Sequence, residues 1–81
     1  MKAFVTVALK KTVLDPQGKT IHAALSRLGH QAVRDVRQGK LFEIDLDDSL
    51  SAEQARALVE TIAKDVLTNP VIEEYSIRLD R

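Results

Sequence analysis

The chain has 81 residues, no cysteine, and 12 basic residues against 12 acidic ones, so its formal net charge is zero. No disulfide framework, thiolate metal site or cysteine nucleophile is available to it, and it lacks the basic excess with which a dedicated nucleic-acid binder neutralises phosphates. A chain this short is one domain, residues 1–81. It buries only about 60% of the surface its unfolded form exposes, so association with another copy would help it.

Lys2–Lys10 reads as a strand, with Ala3, Val5, Val7 and Leu9 on one face and Phe4, Thr6 and Ala8 on the other. The apolar stretch Ala3–Leu9 is too short to span a membrane. Lys10 and Lys11 follow it where a signal peptide needs a longer apolar run and small residues, so a cytoplasmic location is the default expectation. Thr12–Pro16 is a loop leading into a helix. Asp15 is placed to cap the free amides of the first turn, and Pro16 suits the first helical position. Ile21, Ala24, Leu25 and Leu28 then form one apolar stripe, and Gly29 stops the helix.

Ala32–Leu46 reads as one long strand or two shorter ones. Phe42, Ile44 and Leu46 alternate with Glu43, Asp45 and Asp47, the pattern of a half-buried strand with an acidic, solvated face. Arg37-Gln38-Gly39-Lys40 breaks the alternation, and Gly39 there implies a bulge, bend or tight turn. Ser51-Ala52-Glu53-Gln54 fits a capping box. Ala55, Leu58, Val59, Ile62, Ala63 and Val66 continue it as a second helical stripe, which Asn69-Pro70 ends. Val71–Leu79 is the last strand, with Tyr75, Ile77 and Leu79 on one face and Glu74, Ser76 and Arg78 on the other.

The order β-α-β(β)-α-β predicts an α+β two-layer sandwich. Two helices lie on one face of an antiparallel sheet, in a ferredoxin-like or reduced ferredoxin-like arrangement. Unpaired sheet edges are templates for another chain. A dimer that continues the sheet, or packs sheet on sheet, is therefore expected.

Little in the sequence carries chemistry. His22 lies off the helical stripe and His30 follows the helix stop. Neither has further ligands at matched spacing, so both read as surface or rim histidines. Glu43, Asp45, Asp47 and Asp48 would suit a hard cation or an acid–base pair. Carboxylates alternating on one strand face point outward, however, and read better as a solvated face running into a helix N-terminus. Arg37 and Lys40 flank Gly39 as an anion-binding turn would, but no glycine-rich loop precedes a helix, and a partner-facing or structural turn is favoured. Ser26, Ser49, Ser51 and Ser76 lie in no nucleophile elbow. An RNA-binding sheet would stack bases on strand aromatics. Here only Phe4, Phe42 and Tyr75 are present, and the last two are in phase with core aliphatics. The residues thus predict a binding or scaffold module with no catalytic, cofactor or metal residues.

Three runs add a resemblance. They are Val13-Leu14-Asp15-Pro16-Gln17-Gly18-Lys19, Val36-Arg37-Gln38-Gly39-Lys40 and Asn69-Pro70-Val71-Ile72-Glu73-Glu74-Tyr75. In this order and spacing, over essentially the whole chain, they resemble the PurS family, small subunits of phosphoribosylformylglycinamidine synthase in de novo purine biosynthesis. The resemblance implies a non-catalytic accessory subunit of a ligase complex. That complex converts formylglycinamide ribonucleotide, glutamine and ATP to formylglycinamidine ribonucleotide, glutamate, ADP and phosphate. A PurQ-like glutaminase releases ammonia and a PurL-like synthetase uses it. ATP, Mg and glutamine belong to those partners, and this chain binds none of them. The PurS-like subunit, a dimer or tetramer, brings the two together and assists ammonia transfer. Arg37, Lys40, Asp15 and Gln17, polar residues in the distinctive runs, are the candidate partner contacts. Neither nucleic acid nor membrane is an expected partner. The rival reading is an ACT-like domain that binds a small molecule between copies, but Lys10-Lys11-Thr12 stands where its glycine-rich turn would be. An acylphosphatase-like enzyme is disfavoured on similar ground, since no anion-cradling loop follows the first strand.

Overall fold

The structure, a computed structural model, describes residues 1–80. Strand β1 (Lys2–Leu9) lies between β2 (Gly39–Asp45) and β3 (Glu73–Asp80), antiparallel to both. Helix α1 (Pro16–Arg27) joins β1 to β2, and α2 (Ala52–Ile62) leads through a π-helical turn, Ala63–Leu67, towards β3. This is the reduced form of the expected α+β fold, with a single middle strand.

Period-two alternation sorts the sheet into two faces. Ala3 stands between Ile44 and Leu79, Val5 between Phe42 and Ile77, and Val7 between Lys40 and Tyr75. Ala3, Val5 and Val7 are buried beneath Val59 and Ala63, with Phe42, Ile44, Tyr75, Ile77 and Leu79 packed around them. The largest fully buried side chains are only valines, Val5, Val7 and Val59. Each is worth about 1.5–3 kcal/mol on burial, so the core is small. On the far face Phe4 lies between Glu43 and Arg78. The Arg78 guanidinium sits 4.5 Å from the Phe4 ring centroid, a favourable placement of a cation over an aromatic face.

Helix α2 starts at the predicted capping box. Ser51 Oγ accepts from the Gln54 amide and Gln54 Oε1 accepts from the Ser51 amide. Ala55, Val59 and Ala63 are fully buried. The Tyr75 hydroxyl donates to Glu60 Oε2 at 2.8 Å and ties β3 to this helix. The expected stripe is narrower than its sequence: Leu58 is 43% exposed and Val66 75%. The π-helical turn explains Val66. Its i→i+5 closure puts more residues in the last turn and changes its phase, so Leu67 packs on the core in its place.

Helix α1 is built differently. Asp15 caps it, Pro16 opens it, and Gly29 ends it at φ 93°, a left-handed conformation that suits glycine. Its stripe does not lie on the sheet core: Ile21 is 40% exposed and Leu28 75%. Among the described residues it is α2 and its π-helical turn that supply the helical side chains of that core. The expected long strand over 32–46 is also shortened, because only Gly39–Asp45 is strand. Residues 30–38 run back along α1 instead. His22 Nε2 donates to the Val33 carbonyl at 3.0 Å, and the Gln38 amide donates to Asp15 at 2.7 Å. Helix and return segment form an arm beside the sheet. The molecule is accordingly elongated, 51 × 26 × 14 Å, with a radius of gyration of 16.2 Å, against about 12 Å for a spherical domain of this length.

The phase change gives a prediction. Val66→Asp should alter stability by less than about 0.5 kcal/mol, whereas Leu67→Ala should cost roughly 2 kcal/mol. Urea unfolding of the two variants checks this, and the reverse order would exclude the π-helical register.

Candidate functional site

The arm and the sheet meet where β1 ends. Lys10 is the crossing point. Its amide donates to the Ile72 carbonyl at 2.8 Å, and its ammonium donates to the Pro70 carbonyl at 2.8 Å. Its own carbonyl accepts from Arg37 Nη2 at 3.0 Å. The same guanidinium nitrogen donates to the Val13 carbonyl at 2.9 Å. One arginine thus pairs two loop carbonyls that regular structure leaves open.

Asp15 lies beneath this loop, 3% exposed. Its two carboxylate oxygens are divided. Oδ1 accepts from the Gly18 amide at 3.0 Å, the helix cap, and Oδ2 accepts from the Gln38 amide at 2.7 Å, the last residue before β2. Gln38 Nε2 also donates to Gln17 Oε1 at 2.8 Å. Gly18 fits only because it lacks a side chain, since a Cβ there would overlap the Val36 carbonyl oxygen. The three sequence runs that are far apart in the chain therefore converge on one joint. The first two touch directly, and Lys10 links both to the third.

Beside the joint, on the same face of the sheet as Val7, is an open groove of about 210 Å³. Lys40, Glu73, Gln17 and Gln38 border it, with Val7 and Leu9 among its apolar lining. Lys40 is exposed and makes no ion pair among the described residues.

Of the four candidate contact residues, Asp15, Gln17 and Arg37 are engaged within the chain and Lys40 is not. The parts played by Lys10, His22 and Gln38 left no mark in the sequence, because Lys10 and His22 meet backbone carbonyls and Gln38 meets side chains more than twenty residues away. The acidic cluster is dispersed into local pairings. Lys2 pairs with Glu43 and Asp45, the N-terminal ammonium with Asp48, and Asp47 accepts from the Ser49 amide. These match the solvated-face reading. No group of three or more metal-ligating side chains occurs among the described residues.

The Gln38 amide, then the Gly18 amide and the nearby Arg37 charge, hold the Asp15 carboxyl below its usual value of 3.8 despite burial. A carboxylate held lower in the native state than in the unfolded chain stabilises fully above that value and loses its effect as pH falls through the native one. The chain should therefore lose part of its stability below pH 3.8 through this group. Asp15→Ala should be less stable at pH 6 and show a shallower acid dependence in urea unfolding. Parallel acid profiles for the two proteins would contradict the assignment.

Comparison with known proteins fits this geometry. The family model described as PurS, phosphoribosylformylglycinamidine (FGAM) synthase, matches residues 2–81. The phosphoribosylformylglycinamidine synthase subunit PurS of Mycobacterium leprae is 45% identical over 76 residues, covering 94% of this chain and 91% of its own. The crystal structure of Methanocaldococcus jannaschii PurS, a subunit of formylglycinamide ribonucleotide amidotransferase in the purine biosynthetic pathway, superimposes with a TM-score of 0.88. It is 39% identical, and 99% of this chain and 95% of that one are covered. A chain in the structure of PurLQS from Thermotoga maritima matches with a TM-score of 0.83 at 31% identity, over 95% of this chain and 94% of that one. Agreement in sequence and in fold over essentially the whole chain places it in one family: it belongs to the PurS family of FGAM synthase subunits.

Proposed function

We propose that this chain is the docking subunit of a formylglycinamide ribonucleotide amidotransferase, holding a PurL-like synthetase and a PurQ-like glutaminase together. The observation that carries the reading is its full-length match to PurS chains, one of them in PurLQS. The complex transfers ammonia released from glutamine to an ATP-activated amide. Free ammonia in water takes up a proton and loses its nucleophilicity, so the two sites must be docked and shielded from solvent. A docking subunit meets that need with complementary surfaces rather than with a reactive pocket. The chain works in the cytoplasm as a dimer, and its partners hold the ATP, Mg and glutamine. The small core and the exposed Leu28, Leu41 and Val71 support self-association.

Within this reading Lys40 is the contact residue of choice. It is exposed, borders the groove beside the joint, and is free to pair with a carboxylate of another subunit. Asp15, Gln17 and Arg37 act through the shape of the joint.

Two outcomes test the reading. With purified PurL-like and PurQ-like partners, glutamine-dependent product formation should require this chain, while ammonia-dependent formation should persist without it. Indifference of both activities would overturn the docking role. Lys40→Glu should keep its fold by circular dichroism and weaken assembly about ten-fold, read as the concentration of the chain that half-restores glutamine-dependent activity. Unchanged assembly by a folded variant would remove Lys40 from the interface.

A further inference from the structure

We propose that Asp15 is a positioning residue that sets the angle between the α1 arm and the sheet, and so the alignment of the subunits docked on them. The inference rests on the docking role just described. The arm contributes nothing to the sheet core among the described residues, so its direction is set at its base. There, one buried carboxylate holds both strands of the connection. Oδ1 accepts from Gly18 at the start of α1, and Oδ2 accepts from Gln38 at the start of β2. Chain segments 23 residues apart are joined by that second bond. The other cross-links at the base are exposed, namely Gln38 to Gln17 and Arg37 to the Val13 carbonyl, and solvent competes for such bonds. Asp15 is 3% exposed, its bond to Gly18 is buried and its bond to Gln38 half-buried. A shift at the base is magnified along a 12-residue helix, about 18 Å long.

The chemistry of the carboxylate supplies the test. Asparagine has one acceptor oxygen, so Asp15→Asn can serve Gly18 or Gln38 but not both. Serine caps helices well but is too short to serve both, so Asp15→Ser keeps the cap and frees the arm. In both variants α1 should remain formed by circular dichroism. In Asp15→Ser the Gln38 amide should exchange with solvent about ten-fold faster, the loss expected when a hydrogen bond to a charged acceptor is removed, and in Asp15→Asn either the Gln38 or the Gly18 amide should do so. In the reconstituted complex at saturating concentrations of the variant, glutamine consumed per product formed should rise above one-to-one, because misaligned sites lose ammonia to solvent. A merely structural fault lowers the amount of active complex and leaves that ratio unchanged. The inference is overturned if Gln38 exchanges as in the wild type in Asp15→Ser, or if the ratio stays at one-to-one in both variants with α1 intact. If the wild-type chain supports no glutamine-dependent activity, the docking role falls and takes this inference with it. A coupled wild type with equally coupled variants removes the inference alone.

Discussion

Strand β1 has a hydrogen-bonded neighbour on each side, and its register governs the rest of the structure. Because Ala3, Val5 and Val7 point to one face, their cross-strand partners are directed there too, and α2 has one surface on which to lie. A one-residue slip of β1 would turn its buried side chains to the solvent face and bring Phe4 and Thr6 under the helix. The small size of these side chains leaves room for α2 to lie on the sheet through Val59 and Ala63. Close approach of this kind leaves little volume for large side chains. The aromatic and larger aliphatic groups therefore surround the core half-buried.

The same strand decides where the joint falls. β1 runs from Lys2 to Leu9, and the next residue, Lys10, immediately bonds to the loop before β3 and receives Arg37 from the segment before β2. Backbone groups that leave a sheet must find new partners, and in this chain they find them in one another. Residues of the three runs on which the family resemblance rests make several of these connections. Asp15 divides its oxygens, Gly18 admits a carbonyl, and Arg37 bridges two others. These residues carry the geometry of a connection, while Lys40, next to them at the start of β2, is exposed and without an ion pair among the described residues.

The strands, their faces and the helix caps were legible because each is a local pattern. Alternation in Val5, Val7, Phe42, Ile44, Ile77 and Leu79 has a period of two residues, and Asp15, Gly29 and the Ser51–Gln54 box act within a few positions of themselves. The path of residues 30–38 was not legible. Its apolar residues, Val33 and Val36, suit a strand, but the Val33 carbonyl accepts from His22 of α1 and the Val36 carbonyl lies against Gly18 of α1, which no spacing announces. The stripe of α1 showed that one face is apolar and could not show that this face is left beside the core rather than on it. At the end of α2, Val66 and Leu67 are both apolar, so composition could not choose between them, and the π-helical turn does. The family resemblance named the role from the three runs, while the acceptors of Arg37 and Lys10 are carbonyls, which leave no mark on a sequence.

The register of β1 with β3 also places Lys2 opposite Asp80. The first and last described strands therefore bring Lys2 and Asp80 side by side, at the end of the sheet remote from Lys10 and Asp15. Seven residue steps of strand separate Lys2 from Leu9, roughly 23 Å at the usual rise. A peptide linker joining the end of one copy to the start of a second would begin and finish at the same edge of each molecule, clear of the arm. The topology is thereby suited to duplication in tandem, and a fluorophore or affinity handle attached at either terminus would report on the subunit without entering the joint.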